Sequence, residues 1–257
     1  MNSHGNPRTI GSWRVVEEWA RNRHYVTYRA DPINGSTPAL LHLENDAPIP
    51  DPSDADVFSA SCNQWIQFRH PGVAALRDFG TLGRESYLVV EFPDGRRLDR
   101  MQETERRNGR FLTWIMSQVA DAMAKAPFPA RWLFPQSVVI PPAGIPVVTD
   151  LAAIHLFHSA TREPAVPPLS RDWGTCAWAR TFHDVLTARP RRPRNSETTF
   201  FLRDEVENDL IEAGVPPDVA SMLIDILTEG EPGTSWTLEG VAALCRSAVS
   251  EGPLANQ

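Results

Sequence analysis

Lysine is almost absent from this chain of 257 residues. Of its 25 basic residues 24 are arginine, and the single lysine is Lys125. A Walker A phosphate loop needs Gly-Lys, and Lys125 follows an alanine, so that class of nucleotide-binding loop is excluded. Any chemistry that requires a lysine must use Lys125 or do without one.

Cysteine is scarce as well. Cys62, Cys176 and Cys245 are far apart and none belongs to a CxxC pair, so the sequence predicts neither a disulfide framework nor a zinc site. We interpret all three as buried thiols. His155 and His158 are spaced for one helical face but lack a third ligand, so we interpret them as an incidental pair.

Long apolar runs and excess positive charge are missing too. No stretch reaches the 18 or so apolar residues of a membrane span, and the start of the chain has no apolar signal segment. The net charge of -7 argues against nucleic acid or an anionic membrane as the partner. We expect a cytoplasmic protein, with a secreted effector as the alternative. The one basic run, Arg189 to Arg194, indicates a solvated loop, or else a docking site for an acidic partner.

Apolar periodicity divides the chain into a strand-rich first third and a mainly helical remainder. Predicted strands are Ser12–Trp19, His24–Ala30, Ala39–Leu43, Val73–Phe79, Ser86–Phe92, Ser137–Ile140 and Ile145–Thr149. Predicted helices are Val57–Phe68, Phe111–Lys125, Trp173–Ala188, Val206–Ala213, Pro217–Thr228 and Leu238–Ser250, with Thr237 as the N-cap of the last. This order predicts an α+β fold.

Several strings resemble the bacterial Ser/Thr protein kinases. HPGVAALRDFGTLGRESYLVVEFPDGRRL, His70 to Leu98, is similar to the family's stretch from HPN(I/V) through YLVMEY into the hinge. AWARTFHDVLTARPRRP, Ala177 to Pro193, is similar to its DVWALG-x-x-LYELLTGRPP helix. WARNRHYVTYRAD aligns with LGxGxFGxVYRAxD, and PALLHL with VALKVL. The resemblance implies one two-lobed domain over residues 10–250, with an antiparallel β-rich N-lobe at 10–93 and a mainly helical C-lobe at 94–250.

The stretch ARWLFPQSVVIPPAGIPVVTD, Ala130 to Asp150, then falls on the family's catalytic loop HRDLKPxNVLI and its DFG triplet. The resemblance places Trp132 at the catalytic Asp, Phe134 at the Lys, Ser137 at the metal-binding Asn and Asp150 at the DFG Asp. A literal Asp-Phe-Gly at residues 78–80 precedes the hinge, so we interpret it as unrelated to that triplet.

Phosphoryl transfer needs a strand lysine paired with a helix glutamate, a base and metal ligands. The resemblance places Leu41 at the lysine and Ser61 at the glutamate, and the predicted helix Val57–Phe68 contains no acid. Trp132 has an indole that only donates hydrogen bonds, and Ser137 is a poor neutral metal ligand. We therefore expect no catalytic residue at these four positions.

The positions implied for nucleotide binding are also altered. The Gly-rich loop falls on Ala20, Asn22 and Tyr25, and the rest of the implied nucleotide site consists of Ala39, the gatekeeper Val90, and Glu91 and Phe92 of the hinge. Asp150 is the one acid left as a metal ligand, although an acid after a strand is more often a turn or helix cap. We expect neither ATP nor Mg²⁺ as a cofactor.

These substitutions predict a pseudokinase: a protein-binding, scaffold or regulatory module that acts on another protein, such as an active kinase or a larger assembly. The alternative is a divergent kinase-fold enzyme that performs an unconventional nucleotide-dependent transfer with Asp150 as metal ligand. A plain structural subunit is a third reading if the resemblance fails in the helical half. We expect Trp132 to be at least half buried; a freely exposed indole would indicate a partner surface instead.

Overall fold

The computed structural model describes residues 8–22, 24–45, 52–127, 132–142, 144–160, 173–188, 202–228 and 236–250. Its strands are β1 (Thr9–Ile10), β2 (Trp13–Arg21), β3 (Tyr25–Pro32), β4 (Ala39–Glu44), β5 (Leu76–Leu82), β6 (Glu85–Glu91), β7 (Arg96–Arg97), β8 (Val138–Ile140) and β9 (Val147–Val148). Its helices are α1 (Pro52–Gln67), α2 (Glu103–Arg106), α3 (Gly109–Lys125), α4 (Leu151–Ala160), α5 (Trp173–Thr187), α6 (Arg203–Glu212), α7 (Pro217–Thr228) and α8 (Leu238–Ser250).

The chain forms two compact units. The first contains Met1–Asp94 together with Thr149–Ala165, and the second contains Gly95–Val148 together with Val166–Gln257. The first boundary between the two units follows Asp94, one residue after the predicted end of the N-lobe at residue 93. Residues 149–165, which the sequence assigns to the C-lobe, group with the first unit.

The first unit is built on a six-stranded antiparallel sheet in the order β1-β2-β3-β4-β6-β5. One face carries an apolar core cluster, whose buried members are Ile10, Trp13, Ala30, Ala39, Leu41, Leu43, Tyr87 and Val89. The indole N–H of Trp13 on β2 donates to Asp78 on the edge strand β5 over 2.8 Å. Because β2 lies near the other edge, the sheet must curl around this cluster.

The ring of Tyr87 explains a glycine in β5. A Cβ at Gly80 would lie 2.7 Å from the phenolic oxygen of Tyr87, closer than any real side chain comes. The literal Asp-Phe-Gly at 78–80 thus lies in β5, where Asp78 accepts from Trp13 and the glycine makes room for a ring. This agrees with its interpretation as unrelated to the family's triplet.

Helices α1 and α4 pack against each other in the first unit. Helix α1 begins at Pro52, five residues before the predicted Val57, because proline suits the first helical position, where its missing N–H costs nothing. The predicted start is therefore wrong, and the five additional residues at the start of the helix include Asp54 and Asp56. Helix α4 was not predicted.

The second unit holds the other six helices and a small sheet in the order β7-β8-β9. Helices α7 and α8 have the predicted bounds. The predicted cap of α8 is confirmed, since the hydroxyl of Thr237 accepts the backbone N–H of Gly240 over 3.1 Å. The indole of Trp178 on α5 donates to the backbone carbonyl of Met116 on α3 over 2.7 Å and joins the two helices.

All three cysteines are free thiols. Cys62 and Cys245 are buried, as predicted, and burial raises the pKa of each thiol to about 12, so both stay protonated at neutral pH. Cys176 is half-buried. None of the helices in the described part of the chain has the length and apolar composition that a membrane crossing requires.

Candidate functional site

The turn between β2 and β3 occupies the position implied for the Gly-rich loop. The side-chain oxygen of Asn22 accepts the backbone N–H groups of His24 and Tyr25 over 2.8 and 3.0 Å. The backbone N–H of Asn22 donates to the carbonyl of Tyr25 over 3.1 Å. The turn therefore closes on itself, as asparagine turns commonly do, and β3 starts at Tyr25.

The side chain of Tyr25 fills the space beside Asp150. The phenol donates a hydrogen bond to the carboxylate of Asp150, and both residues are buried, at 2% and 1% exposure. Its ring meets the imidazole of His42 edge-on at 5.5 Å between centroids and contacts Phe157 of α4 at 5.8 Å. A residue at the implied glycine position thus binds the residue at the implied DFG position directly.

His42, which the sequence analysis did not single out, lies beside this pair. One ring nitrogen, Nε2, is 3.0 Å from the carbonyl oxygen of Thr149, and the other, Nδ1, is 2.9 Å from the hydroxyl of Thr27. A carbonyl only accepts, so Nε2 carries the proton and Nδ1 accepts from Thr27. Burial lowers the pKa of His42 to about 4, against the opposing effect of the Thr149 bond, so the ring is neutral at pH 7.

We call these five residues, Tyr25, Thr27, His42, Thr149 and Asp150, the polar cluster. The cluster joins strands β3 and β4 to the segment that leads into α4. Its carboxylate is hydrogen-bonded to a phenol and its imidazole is uncharged. The described residues include no group of three or more His, Cys, Asp or Glu placed to hold a metal ion.

Strand register separates the residues implied for the nucleotide site. Leu40 lies opposite Val90 and Leu41 opposite Val89, and directly opposed residues share a face. Leu41 packs in the core cluster with Val89, whereas Val90 shares its face with Leu40 and His42.

Ala39 and Leu41 therefore do not line the face that carries Val90 and the polar cluster, which corrects the sequence-based grouping. A shift of one residue moves a side chain to the other face of a strand. Because PALLHL is apolar at both alternating sets of positions, hydrophobic pattern did not fix its register.

The implied hinge residues have their own contacts. Val90 is buried, while Glu91 is exposed and lies 3.7 Å from Arg77. The ring of Phe92 meets Trp19, next to Ala20, edge-on at 5.2 Å. The Phe92 ring also contacts Arg29, whose guanidinium lies over the ring at 5.6 Å from its centre.

Ser61, at the implied glutamate position, is half-buried on α1 next to the fully buried Cys62. The acids of that helix, Asp54 and Asp56, lie one to two turns before it. Asp56 is exposed to solvent. The position implied for the glutamate is therefore occupied by a short neutral side chain.

The implied catalytic loop lies in the second unit. Trp132 is half-buried, as expected, and the carbonyl of Leu133 next to it accepts the hydroxyl of Thr181 on α5 over 2.8 Å. Ser137 is buried at the end of a 3-10 turn, where its N–H donates to the carbonyl of Phe134 over 2.9 Å. The loop is therefore fixed by backbone bonds to its own unit.

Some predicted features fall outside the described residues. The basic run Arg189 to Arg194 and residue Ala130 belong to this group. His155 and His158 lie within α4, but their side chains are outside the described set.

Solved structures match the chain along almost its whole length. The kinase domain of Mycobacterium tuberculosis PknI has a TM-score of 0.64 at 16% identity and covers 96% of this chain and 100% of its own. Its C20A mutant gives 0.63 at 15% identity, with 96% and 99% covered. The Neurospora crassa complex of PAN2 (WD40-CS1) with PAN3 (pseudokinase and C-term) gives 0.67 at 13% identity, with 97% and 65% covered. No family model matches the chain, and no curated protein matches its sequence. The chain adopts the two-lobed α+β fold of the protein kinases, as the sequence predicted.

Proposed function

We propose that this chain is a pseudokinase, a kinase-fold module that binds or regulates another protein and does not transfer phosphate. The observation that carries the proposal is the hydrogen bond from Tyr25 to Asp150. The residue best suited to ligate a metal is buried and already bound to the chain's own phenol. That bond occupies one of the two carboxylate oxygens, and Mg²⁺ at Asp150 would have to give up its water of hydration to enter a buried site.

The distribution of charge supports the same conclusion. The single lysine, Lys125, lies on α3 in the second unit, so the first unit contains no lysine at all. His42 of β4, which contacts the backbone of Thr149 next to Asp150, is neutral at pH 7. Kinases stabilise nucleotide phosphates mainly through lysine and bound metal, and neither is provided by these residues.

Large apolar side chains at the implied nucleotide site support the proposal as well. Leu40 faces the same side as Val90, and both are fully buried. Phe92, another of the implied positions, contacts Trp19. Large apolar side chains therefore lie at or beside the positions implied for nucleotide binding.

A solved neighbour supports a role through protein contacts. The PAN3 pseudokinase of the neighbouring structure is in a complex with another protein, PAN2. We propose the same general mode for this chain, with a partner such as an active kinase or a component of a larger assembly. Such a module acts by the surface or conformation that it presents.

A nucleotide-binding assay tests the proposal. We expect no shift of the melting temperature of the full chain when Mg-ATP is added at millimolar concentration, and no transfer of radiolabelled phosphate from ATP to the chain or to a generic acceptor. The matched control is the catalytic chain of an active kinase measured under the same conditions. A clear Mg-dependent shift would contradict the absence of nucleotide binding.

The alternative function, an enzyme that uses Asp150 as metal ligand, predicts transfer of label in the same assay. Label transferred to any acceptor, and lost in Asp150→Ala but not in the exposed surface variant Asp31→Ala, would establish it and overturn the pseudokinase. Purification from the native host, followed by mass spectrometry of the bound proteins, tests the partner. A chain recovered alone under conditions that preserve complexes would contradict a scaffold role.

A further inference from the structure

The hydrogen bonds of the polar cluster fall on two consecutive residues. Tyr25 bonds to the side chain of Asp150, and His42 bonds to the backbone carbonyl of Thr149. The two donors come from different strands and lie 125 and 107 residues away in sequence. Two bonds to adjacent residues fix both the position and the rotation of the segment, which one bond alone would not.

The register of β4 indicates why His42 is the residue that makes this contact. It lies opposite Thr27 on one side and Leu88 on the other, on the face that Val90 and Tyr25 share. Leu41, at the next position, faces the core cluster. The position of β4 that reaches the carbonyl of Thr149 is therefore the one occupied by His42.

We propose that Tyr25 and His42 form a latch that holds residues 149–150, and with them helix α4, against the sheet in the absence of any ligand. In this arrangement His42, and not Leu41 as the resemblance implied, occupies the place that a kinase gives to its strand lysine, and the chain's own side chains take up the space of the nucleotide phosphates. The inference rests on the proposed function and adds how the first unit maintains it.

Both ring nitrogens of His42 have hydrogen-bond partners within the chain. The Nε2–H tautomer of His42 satisfies Thr149, and the hydroxyl of Thr27 satisfies the other ring nitrogen. A neutral imidazole needs no buried counter-charge, whereas a buried lysine would need one. Replacing the lysine–glutamate ion pair by these bonds removes the requirement for an acid on α1.

Packing extends the latch to the helix that follows. Phe157 of α4 contacts the ring of Tyr25, and Leu156 and Phe157 are buried. Helix α4 packs against α1 and also meets β6. His42 acts as a positioning residue, since it touches the backbone before α4 and not a reacting group.

Hydrogen exchange of the full chain, followed by mass spectrometry of peptides covering residues 149–157, tests the latch. We expect Tyr25→Phe, which removes one oxygen, to speed exchange of these peptides about tenfold. The control is Tyr28→Phe on the same strand, because Tyr28 packs against the core cluster on the opposite face. It should leave residues 149–157 unchanged.

Rescue by a conservative variant separates the hydrogen bond of His42 from simple filling of space. Glutamine can donate to Thr149 and accept from Thr27, so His42→Gln should keep most of the protection that His42→Leu loses. Equal protection in wild type, Tyr25→Phe and His42→Leu would overturn the latch. So would equal losses in the glutamine and leucine variants. If His42→Leu does not fold, the comparison of Tyr25→Phe with Tyr28→Phe decides.

These results are independent of nucleotide binding by the wild type. A melting-temperature shift with Mg-ATP in the wild type would contradict the proposed function, whereas the exchange measurements are made without nucleotide. Fast exchange of residues 149–157 in a wild type that binds no nucleotide would overturn the latch alone.

Discussion

The indole nitrogen of Trp13 lies 2.8 Å from a carboxylate oxygen of Asp78, and this hydrogen bond joins β2 to the opposite edge strand of the six-stranded sheet. The same carboxylate accepts the backbone N–H of Phe79 over 2.8 Å through its other oxygen. An acid that looks like part of a catalytic triplet therefore has a structural role in closing the sheet around its apolar core.

Removing this acceptor should destabilise the protein. We expect Asp78→Ala to lower the free energy of unfolding by about 2 kcal/mol, since the Trp13 bond to a charged acceptor is lost and its indole is left without that partner. Urea denaturation measures the change. Asp31→Ala is the control, because its ion pair with Arg14 is long, at 3.8 Å, and exposed, and should contribute under about 1 kcal/mol. Equal losses in the two variants would contradict the role of Asp78.

Two helical glycines should respond to alanine with opposite signs. A Cβ at Gly109 would lie 2.5 Å from the backbone nitrogen of Val215 and 2.7 Å from the carbonyl oxygen of Ala213. Backbone cannot move aside as a side chain does, so Gly109→Ala should cost about 3 kcal/mol. At Gly240 the nearest atom is 3.5 Å away, so Gly240→Ala should stabilise α8 by up to about 1 kcal/mol. Thermal denaturation of the two variants measures the difference. A Gly109→Ala variant as stable as the wild type would contradict the close packing of Gly109 against the backbone of residues 213–215.

The buried imidazole of His42 makes stability depend on pH. Its pKa is about 4 in the folded chain against 6.5 for a free histidine, so between these values the unfolded chain binds a proton that the folded chain does not. The free energy of unfolding contributed by His42 is therefore fully present above pH 6.5 and falls as the pH drops toward 4. A shift of about 2.5 units corresponds to about 3 kcal/mol.

The measurement compares urea denaturation of the wild type with that of His42→Gln from pH 7 to pH 4. Subtraction cancels the titration of other groups, including Glu44 on the same strand, whose pKa is raised by burial. The wild type should lose more stability than the variant across this range. Parallel curves would show that His42 titrates as a free histidine.

The bond from Thr181 to Leu133 should hold the loop of Trp132 in place. Thr181→Val keeps the shape of the side chain and removes the donor, so the buried carbonyl of Leu133 loses this partner, and unfolding should become easier by about 1 to 2 kcal/mol. Thr228→Val is the control, because its hydroxyl bonds to Ile224 within its own helix and is only partly buried. Denaturant titration of both variants measures the change in the free energy of unfolding. Equally small losses in the two variants would contradict a stabilising role for the bond between Thr181 and Leu133.

The bounds of α7 and α8 could be predicted from the sequence to the residue. Helix α7 has buried positions such as Val219, Leu223 and Ile226 at helical spacing, and its ends coincide with the prediction. For α8 the cap residue Thr237 added a local hydrogen bond that composition alone can indicate. In both cases the information is contained within about twelve neighbouring residues.

Helix α4 could not be found in this way. Its sequence LAAIHLFHSA is apolar over most of its circumference, so it shows no clear periodicity and reads equally well as the end of a strand. What fixes it is contact with α1 and with Tyr25, residues about a hundred positions earlier. Such contacts leave no local signal.

The candidate site was predicted in part. Tyr25 and Asp150 were both singled out through the resemblance, but nothing in the sequence indicates that one binds the other. His42 was missed because the alignment of PALLHL could be shifted by one residue without disturbing its apolar pattern. A polar residue within a buried strand was the available signal, since such a group must find a hydrogen-bond partner.

The discontinuous first unit has a consequence for synthesis on the ribosome. A nascent chain that ends at Asp94 has all six strands of the sheet but not the acceptors for Tyr25 and His42, which emerge more than fifty residues later. Domains generally fold as units while translation proceeds from the N-terminus. The two hydrogen bonds that hold residues 149–150 to the sheet therefore cannot form until the first part of the second unit has been made.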